Sequence, residues 1–165
     1  AFTTVAMDFG TYQLPDDNIR LLLFGTPGQV RFRFMTNILK GDVDVVAFVI
    51  DAEAFETHAA AGVELRALLR DLRVPAVIAV NRCDDVVVAR RLARSLGALD
   101  GEAAVPCQLI DPDSGREVVV EILRADDGPV LDELERLPGR DAEQGTLWVE
   151  VRWRWGGGEM EVGWR

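Results

Sequence analysis

Apolar runs of strand length alternate with segments of helical period along the first 125 residues of this chain. Val43–Ile50, Val74–Val80 and Val105–Ile110 are nearly all apolar, and the segments Glu53–Leu72 and 85–97 between them have helical character. Continuous apolar strands are typical of a parallel sheet that is covered on both faces, and the alternating helices supply the covering layers. The pattern therefore predicts an α/β fold with three layers.

The first two predicted strands are joined differently from the others. Thr3–Phe9 and Ile19–Phe24 are separated by only a short polar turn at residues 15–18. A connection of this length is too short for a parallel crossover, so we expect these two strands to be antiparallel. Gly97 is expected to end the helix before it.

The composition changes near residue 125. Residues 126–165 begin with an acidic linker, for which one short helix is predicted at Val130–Leu137, and end with a segment that holds all four tryptophans. We interpret residues 1–125 as one α/β domain and residues 126–165 as a separate C-terminal tail.

The tryptophan-rich end of the tail has the pattern of a β-hairpin. A two-residue turn at 157–158 would place Trp153 opposite Val162 and Val151 opposite Trp164, with the apolar side chains on one face. A one-sided hairpin has to cover an apolar surface. That surface is either the core of the domain or a partner, which includes a second copy of the chain.

The composition excludes several kinds of function. With 28 acidic and 18 basic residues and a formal charge of −10, the chain lacks the clustered positive charge that binds a nucleic-acid backbone. No apolar run is long enough to span a membrane. Cys83 and Cys107 fit free thiols, which indicates the cytoplasm. His58 is predicted to face solvent, and Lys40 is the only lysine.

Three short features lie at predicted strand ends, where an open α/β sheet binds its ligand. Gly25–Gln29 follows a strand and fits either a phosphate-binding loop or an ordinary turn. Asn81 and Asp84 follow another strand and fit either contacts to a purine base or a cap for the next helix. Thr4 could bind Mg²⁺ or simply belong to its strand.

Taken in order, these features resemble the small Ras-like GTPases from the first switch region onward. The similarity lies in Thr4–Phe9, Leu23–Phe32 and Asn81–Asp84, and it covers residues 3–124. The bacterial Mgl-type polarity GTPases and the actinobacterial GTPases encoded beside roadblock-type proteins are the most similar branch. The resemblance implies a P-loop NTPase-type fold that binds GTP or GDP with Mg²⁺.

On the phosphate side, the resemblance implies roles for three residues. Thr4 would bind Mg²⁺ and the γ-phosphate, Gly28 would donate its backbone N–H to the γ-phosphate, and Gln29 would position the hydrolytic water.

On the base side, the resemblance implies roles for four more residues. Asn81 and Asp84 would contact guanine, with the aliphatic stem of Arg82 along the base plane. Asp111 lies in the loop that corresponds to the last base-contacting loop of the family.

The chain departs from the family in one large respect. It contains no Gly-x-x-x-x-Gly-Lys-Ser/Thr phosphate loop, and Lys40 has no Ser or Thr after it. The strand that precedes this loop should lie at the centre of the sheet, between Ile19–Phe24 and Val43–Ile50. Without it, we expect a gap of two strand spacings, ~10 Å. A fragment of a longer protein, a sheet that closes on itself, and a tail that fills or caps the gap are the three explanations, and we favour the fragment.

Two functions remain compatible with the sequence. The first is a GTPase switch, whose complete parent binds and hydrolyses GTP. The second is a degenerate, non-hydrolysing module that binds a partner protein. By resemblance, the partner would be a roadblock- or longin-type protein or a GTPase-activating protein that docks on Thr4–Gly10 and Gly28–Met35.

Overall fold

The computed structural model describes residues 8–13, 19–27, 44–71, 74–126 and 145–153. This part of the chain forms six strands and three helices, in the order β1 (Asp8–Gln13), β2 (Ile19–Pro27), β3 (Val45–Asp51), α1 (Phe55–Asp71), β4 (Ala76–Asn81), α2 (Val86–Leu96), β5 (Ala103–Cys107), α3 (Pro112–Asp126) and β6 (Gly145–Trp153). None of the described helices is long and apolar enough to cross a lipid bilayer.

The six strands form one sheet in the order β1-β2-β6-β3-β4-β5. Every neighbouring pair from β2 to β5 is parallel, and β1 pairs with β2 in the antiparallel direction. The predicted α/β class and the antiparallel first pair are confirmed. The architecture is compatible with a P-loop-type α/β fold.

The position of β6 differs from the sequence-based prediction. We expected a gap between β2 and β3, with a tail that fills it as one of three explanations, and β6 of the tail lies there and is parallel to both strands. The predicted hairpin is wrong at its N-terminal strand, because Val151 pairs with Gly25 of β2 and with Ala47 of β3. Trp153 is likewise flanked by both strands, so neither edge is left for a hairpin partner. Two open strand edges have unpaired N–H and C=O groups, and inserting a strand satisfies both rows.

Helices cover the sheet on both faces, as predicted. On one face, α1 and α2 pack on alternate residues of β3 and β4, and the buried set is Val46, Phe48, Ile50, Ala61, Leu65, Leu68, Ile78, Val80, Cys83, Ala89, Ala93 and Leu96. On the other face, α3 packs on the intervening residues, and this buried set is Leu21, Leu23, Val45, Ala47, Val49, Val77, Ala79, Val105, Cys107, Val118, Val119 and Ile122. All seven residues of β3 are buried, as a doubly covered strand requires.

Several element boundaries can be compared with the predictions. Gly97 ends α2 with φ 115°, and its N–H is directed at the carbonyls of the last turn, which confirms it as the stop. β5 ends at Cys107, three residues earlier than predicted, because residues 108–111 form a turn. β2 continues through Pro27, so the predicted turn beginning at Gly25 is wrong for residues 25–27.

Other predictions lie outside the described residues. These are the helix before Gly41, the short helix at Val130–Leu137 and the turn at residues 157–158.

Candidate functional site

The carboxyl ends of three parallel strands meet at one edge of the sheet. Asp51 ends β3, Asn81 ends β4 and Cys107 ends β5, and the strand register pairs Asp51 with Asn81 and Asn81 with Cys107. These three residues therefore form one row across the sheet. The loops that follow them contain the described residues for which sequence reasoning predicted contacts with a base. This edge is where open α/β sheets bind ligands.

Asn81 fastens the loops on both sides of it. Its side-chain Oδ1 accepts a hydrogen bond from the backbone N–H of Leu109 at 2.9 Å. Its backbone carbonyl accepts one from the N–H of Ala52, also at 2.9 Å. Asn81 thus joins the loops after β3 and β5 to its own. Its contact with a base stays a prediction.

The helix-capping role belongs to Asp85 and not to Asp84. Asp85 precedes α2, and its Oδ1 accepts hydrogen bonds from the N–H groups of Val87 at 2.7 Å and Val88 at 3.1 Å. Asp84 is exposed, and its Oδ1 accepts a hydrogen bond from Nε2 of Gln108 at 2.9 Å. The alternative interpretation of Asp84 as a cap is therefore wrong, which leaves an exposed carboxylate beside the row of strand ends.

Arg82 connects the base-side motif to the end of β3. Its Nε and Nη2 donate to the two carboxylate oxygens of Asp51 at 2.8 and 2.6 Å, and its Nη1 lies 2.9 Å from Oε2 of Glu53. The hydrogen bond with Asp51 raises the pKa of Arg82. Arg82 has φ 55°, in the left-handed region, so the backbone turns sharply after β4. The guanidinium is directed at the two carboxylates, and the predicted stacking of its stem on a base stays a prediction.

Sequence reasoning missed Asp51, Glu53 and Gln108. Asp51 directly follows the apolar run of β3, and a carboxylate at a strand end is a signal that could have been used. Its side chain is only 7% exposed, which is tolerated because Arg82 pairs with both of its oxygens. Gln108 was hidden because it was assigned to the strand of β5.

Asp111 caps α3. Its Oδ1 accepts a hydrogen bond from the N–H of Asp113 at 3.0 Å, and Pro112 takes the first helical position, as proline often does. The N–H of Asp111 also donates to the carbonyl of Gln108 at 2.8 Å, which closes the turn. A base contact by Asp111 stays a prediction. Ile110, its neighbour, is 90% exposed.

The phosphate-side predictions fall outside the described residues. Thr4, Gly28 and Gln29, and therefore the predicted Mg²⁺ ligand, belong to segments that the structure does not describe. Within the described ranges, no group of three or more His, Cys, Asp or Glu side chains is arranged to hold a metal ion.

The remaining polar groups near the row have structural roles. Nε2 of His58 bonds the backbone carbonyl of Asp51 at 2.8 Å, and the ring is half-buried, so the prediction that it faces solvent is wrong. Cys83 and Cys107 are buried free thiols, as predicted. Burial, with smaller contributions from Cys83 and Glu117, raises the pKa of Cys107 to about 12. Its thiol is therefore protonated at neutral pH and is a poor nucleophile.

Comparison with known proteins shows that the chain matches one protein family. The family described as "conserved hypothetical ATP binding protein" matches residues 1–101, which include Asn81, Arg82 and Asp84. The chain belongs to this family. Membership indicates a nucleotide-binding protein, and so supports the coarser part of the sequence resemblance. Nothing in the comparisons indicates a Mgl-type or roadblock-associated GTPase.

One curated relative is an uncharacterized protein of Methanocaldococcus jannaschii, MJ1339. It is 33% identical over 81 residues, which are 49% of this chain and 50% of the relative. The chain thus spans about half the length of the curated relative that it matches. No solved structure matches the chain.

The bracing role of Asn81 can be tested by two substitutions. Asn81→Ala leaves the N–H of Leu109 without its acceptor, so the free energy of unfolding should fall by about 1–2 kcal/mol. Asn81→Asp retains an acceptor oxygen and should cost about 0.5 kcal/mol or less. Urea denaturation of both variants measures this difference. Equal losses of stability would contradict the bracing role.

Proposed function

We propose that this chain carries the base-binding part of a guanine-nucleotide-binding protein. The observation that supports this most strongly is the exposed carboxylate of Asp84, which does not cap α2 and is held by Gln108 beside the row of strand ends. A carboxylate only accepts hydrogen bonds. The Watson–Crick edge of guanine has two adjacent donors, N1–H and the C2 amino group, and so matches the two oxygens of a carboxylate.

The same chemistry argues against adenine, although the family is described as ATP-binding. Adenine has an unprotonated N1 where guanine has N1–H, so its lone pair would face a carboxylate oxygen. Two acceptors that face each other without a donor leave both unsatisfied, which costs free energy. For this chain we therefore propose guanine rather than adenine.

Hydrolysis of GTP is the further part of the proposal, and it is supported by the sequence resemblance alone. In it, Gln29 positions the attacking water, Thr4 binds Mg²⁺, and the N–H of Gly28 donates to the γ-phosphate. The partner proposed for the surface around these residues is a roadblock- or longin-type protein.

A second candidate is a binding module without chemistry. It is supported by the sequence, which has no Gly-x-x-x-x-Gly-Lys-Ser/Thr and has Lys40 as its only lysine. In nucleotide-binding proteins that have a phosphate loop, this loop supplies many of the contacts to the β- and γ-phosphates. A chain without these contacts would bind nucleotides weakly, and its function would be to bind a partner protein.

Titration of the full chain with labelled GTP, GDP and ATP in the presence of Mg²⁺ tests both candidates. We expect the guanine nucleotides to bind at least about tenfold more tightly than ATP, because one or two hydrogen bonds are lost with adenine. Equal affinities, or a preference for ATP, would contradict the base assignment. Micromolar or tighter binding of GTP would contradict the binding module, whereas no binding at millimolar concentration would contradict nucleotide binding by this chain.

A further inference from the structure

The side chain of Gln108, which follows β5, contacts Asp84 in the loop after β4. Its Nε2 donates to Oδ1 of Asp84 at 2.9 Å, and the two residues are 24 positions apart in the chain. Asp84 is exposed, and nothing in its own loop fixes the rotation of a carboxylate about its last bond. The donor from Gln108 supplies this restraint.

The backbone of Gln108 is fixed independently of its side chain. Its N–H donates to Oγ of Ser114 at 2.8 Å, and its carbonyl accepts from the N–H of Asp111 at 2.8 Å. The bond between Asn81 and Leu109 ties the same turn to β4. The turn is therefore held without the side-chain amide of Gln108, and the described contact of that amide is with Asp84.

We propose that Gln108 is a positioning residue that sets selectivity for purines with an amino group at C2; this inference rests on the proposed binding of guanine. A carboxylate offers about four lone-pair sites on its two oxygens. Gln108 occupies one site on Oδ1 and holds the carboxylate plane, which leaves sites on both oxygens for two adjacent donors of a base. A freely rotating carboxylate would accept one donor as well as before. To accept two donors at once, it would have to give up its rotational freedom, which weakens binding.

A comparison of guanosine with inosine nucleotides distinguishes a carboxylate that Gln108 holds from one that rotates freely. Inosine has N1–H but lacks the C2 amino group, so it needs only one of the two oxygens. In the unmodified protein, GDP should bind about tenfold more tightly than inosine diphosphate (IDP). This is the gain in affinity expected from one hydrogen bond to a charged group. Gln108→Ala should reduce GDP affinity about threefold and leave IDP affinity unchanged, so the ratio of the two falls from about ten to about three.

Gln108→Glu is the second variant, since it keeps the size of the side chain and replaces the donor by a carboxylate. At neutral pH the two carboxylates should repel each other, and GDP binding should weaken. The ratio of GDP to IDP affinity should therefore fall, as it does in Gln108→Ala. Arg82, Asp85 and Asp111, the other charged groups of these loops, retain their partners in this variant.

Gln13→Glu is the matched control. It makes the same chemical change on β1, at the opposite edge of the sheet from β5. We expect it to leave the GDP to IDP ratio unchanged.

The outcomes distinguish the two proposals. If the unmodified protein binds GDP no better than ADP, the proposed function fails and this inference fails with it. If it prefers GDP, but Gln108→Ala retains the full ratio of GDP to IDP affinity, only the positioning role is overturned. A reduced ratio in both Gln108→Ala and Gln108→Glu, with an unchanged ratio in Gln13→Glu, supports it. Urea denaturation of each variant confirms that the fold is retained.

Discussion

Asp84→Asn should convert the proposed guanine site into a site for xanthine. Xanthine has a carbonyl at C2 where guanine has an amino group, and both bases have N1–H. The side chain of asparagine offers one acceptor for N1–H and one donor for this carbonyl, whereas it opposes a donor to the amino group of guanine. We expect the affinity for GDP to fall about a hundredfold. The affinity for xanthosine diphosphate (XDP) should be higher than the unmodified protein has for the same nucleotide. Competition between the two nucleotides, measured by calorimetry or by displacement of a fluorescent analogue, gives both values.

Asp85→Asn is the matched control for this experiment. It makes the same change at the adjacent residue, which caps α2 through Val87 and Val88. Asparagine caps helices about as well as aspartate, so stability should change little and the preference for guanine should remain. If both variants shift the preference equally, or if Asp84→Asn leaves it unchanged, Asp84 does not contact the base. Either result would also remove the basis for choosing guanine over adenine.

The order of the strands and helices could be predicted because the signals are local. Each buried strand of the βα part is a short apolar run, and each helix between them has its own period and its own end signal, such as Gly97. The boundaries were less accurate. β5 was predicted to extend to Ile110, which is apolar but 90% exposed, because an apolar residue in a turn looks like the continuation of a strand.

The place of β6 could not be predicted from its own sequence. Polar and apolar residues alternate from Val149 to Trp153, and this pattern is typical of a strand with one solvated face. The structure instead pairs it on both edges, with β2 and β3, whose paired residues lie 126 and 104 positions earlier in the chain. Which strand fills a central position depends on all the open edges of the sheet. That information is absent from a local pattern.

The candidate site shows the same division between local and long-range information. Asn81 and Asp84 were found because they occur together after a buried strand. Gln108 and Asp51 were missed because their significance depends on the parallel register, which brings the ends of β3, β4 and β5 into one row. Two adjacent aspartates at positions 84 and 85 could not be distinguished by sequence, since either could cap the helix. Hydrogen-bond geometry assigns the cap to Asp85.

Phe48→Ala should cause the largest loss of stability in the described part of the chain. Phe48 lies in β3, is fully buried, and packs in the cluster that α1 forms on the sheet. Removal of a buried phenylalanine side chain costs about 3–5 kcal/mol through lost burial and the cavity that remains. Single domains have about 5–15 kcal/mol in total, so this variant should be close to unfolding at room temperature. Urea denaturation followed by circular dichroism measures the change.

Phe55→Ala provides a matched control, because the same substitution is made at a residue that is 75% exposed. It should change the free energy of unfolding by about 0.5 kcal/mol or less. Phe48→Leu, which leaves a smaller cavity, should lose about 1 kcal/mol and keeps the experiment informative if Phe48→Ala does not fold. Similar losses for Phe48→Ala and Phe55→Ala would mean that β3 does not pack beneath α1. The row of strand ends would then lack its support as well, because the pairing of β3 with β4 places Asp51 beside Asn81.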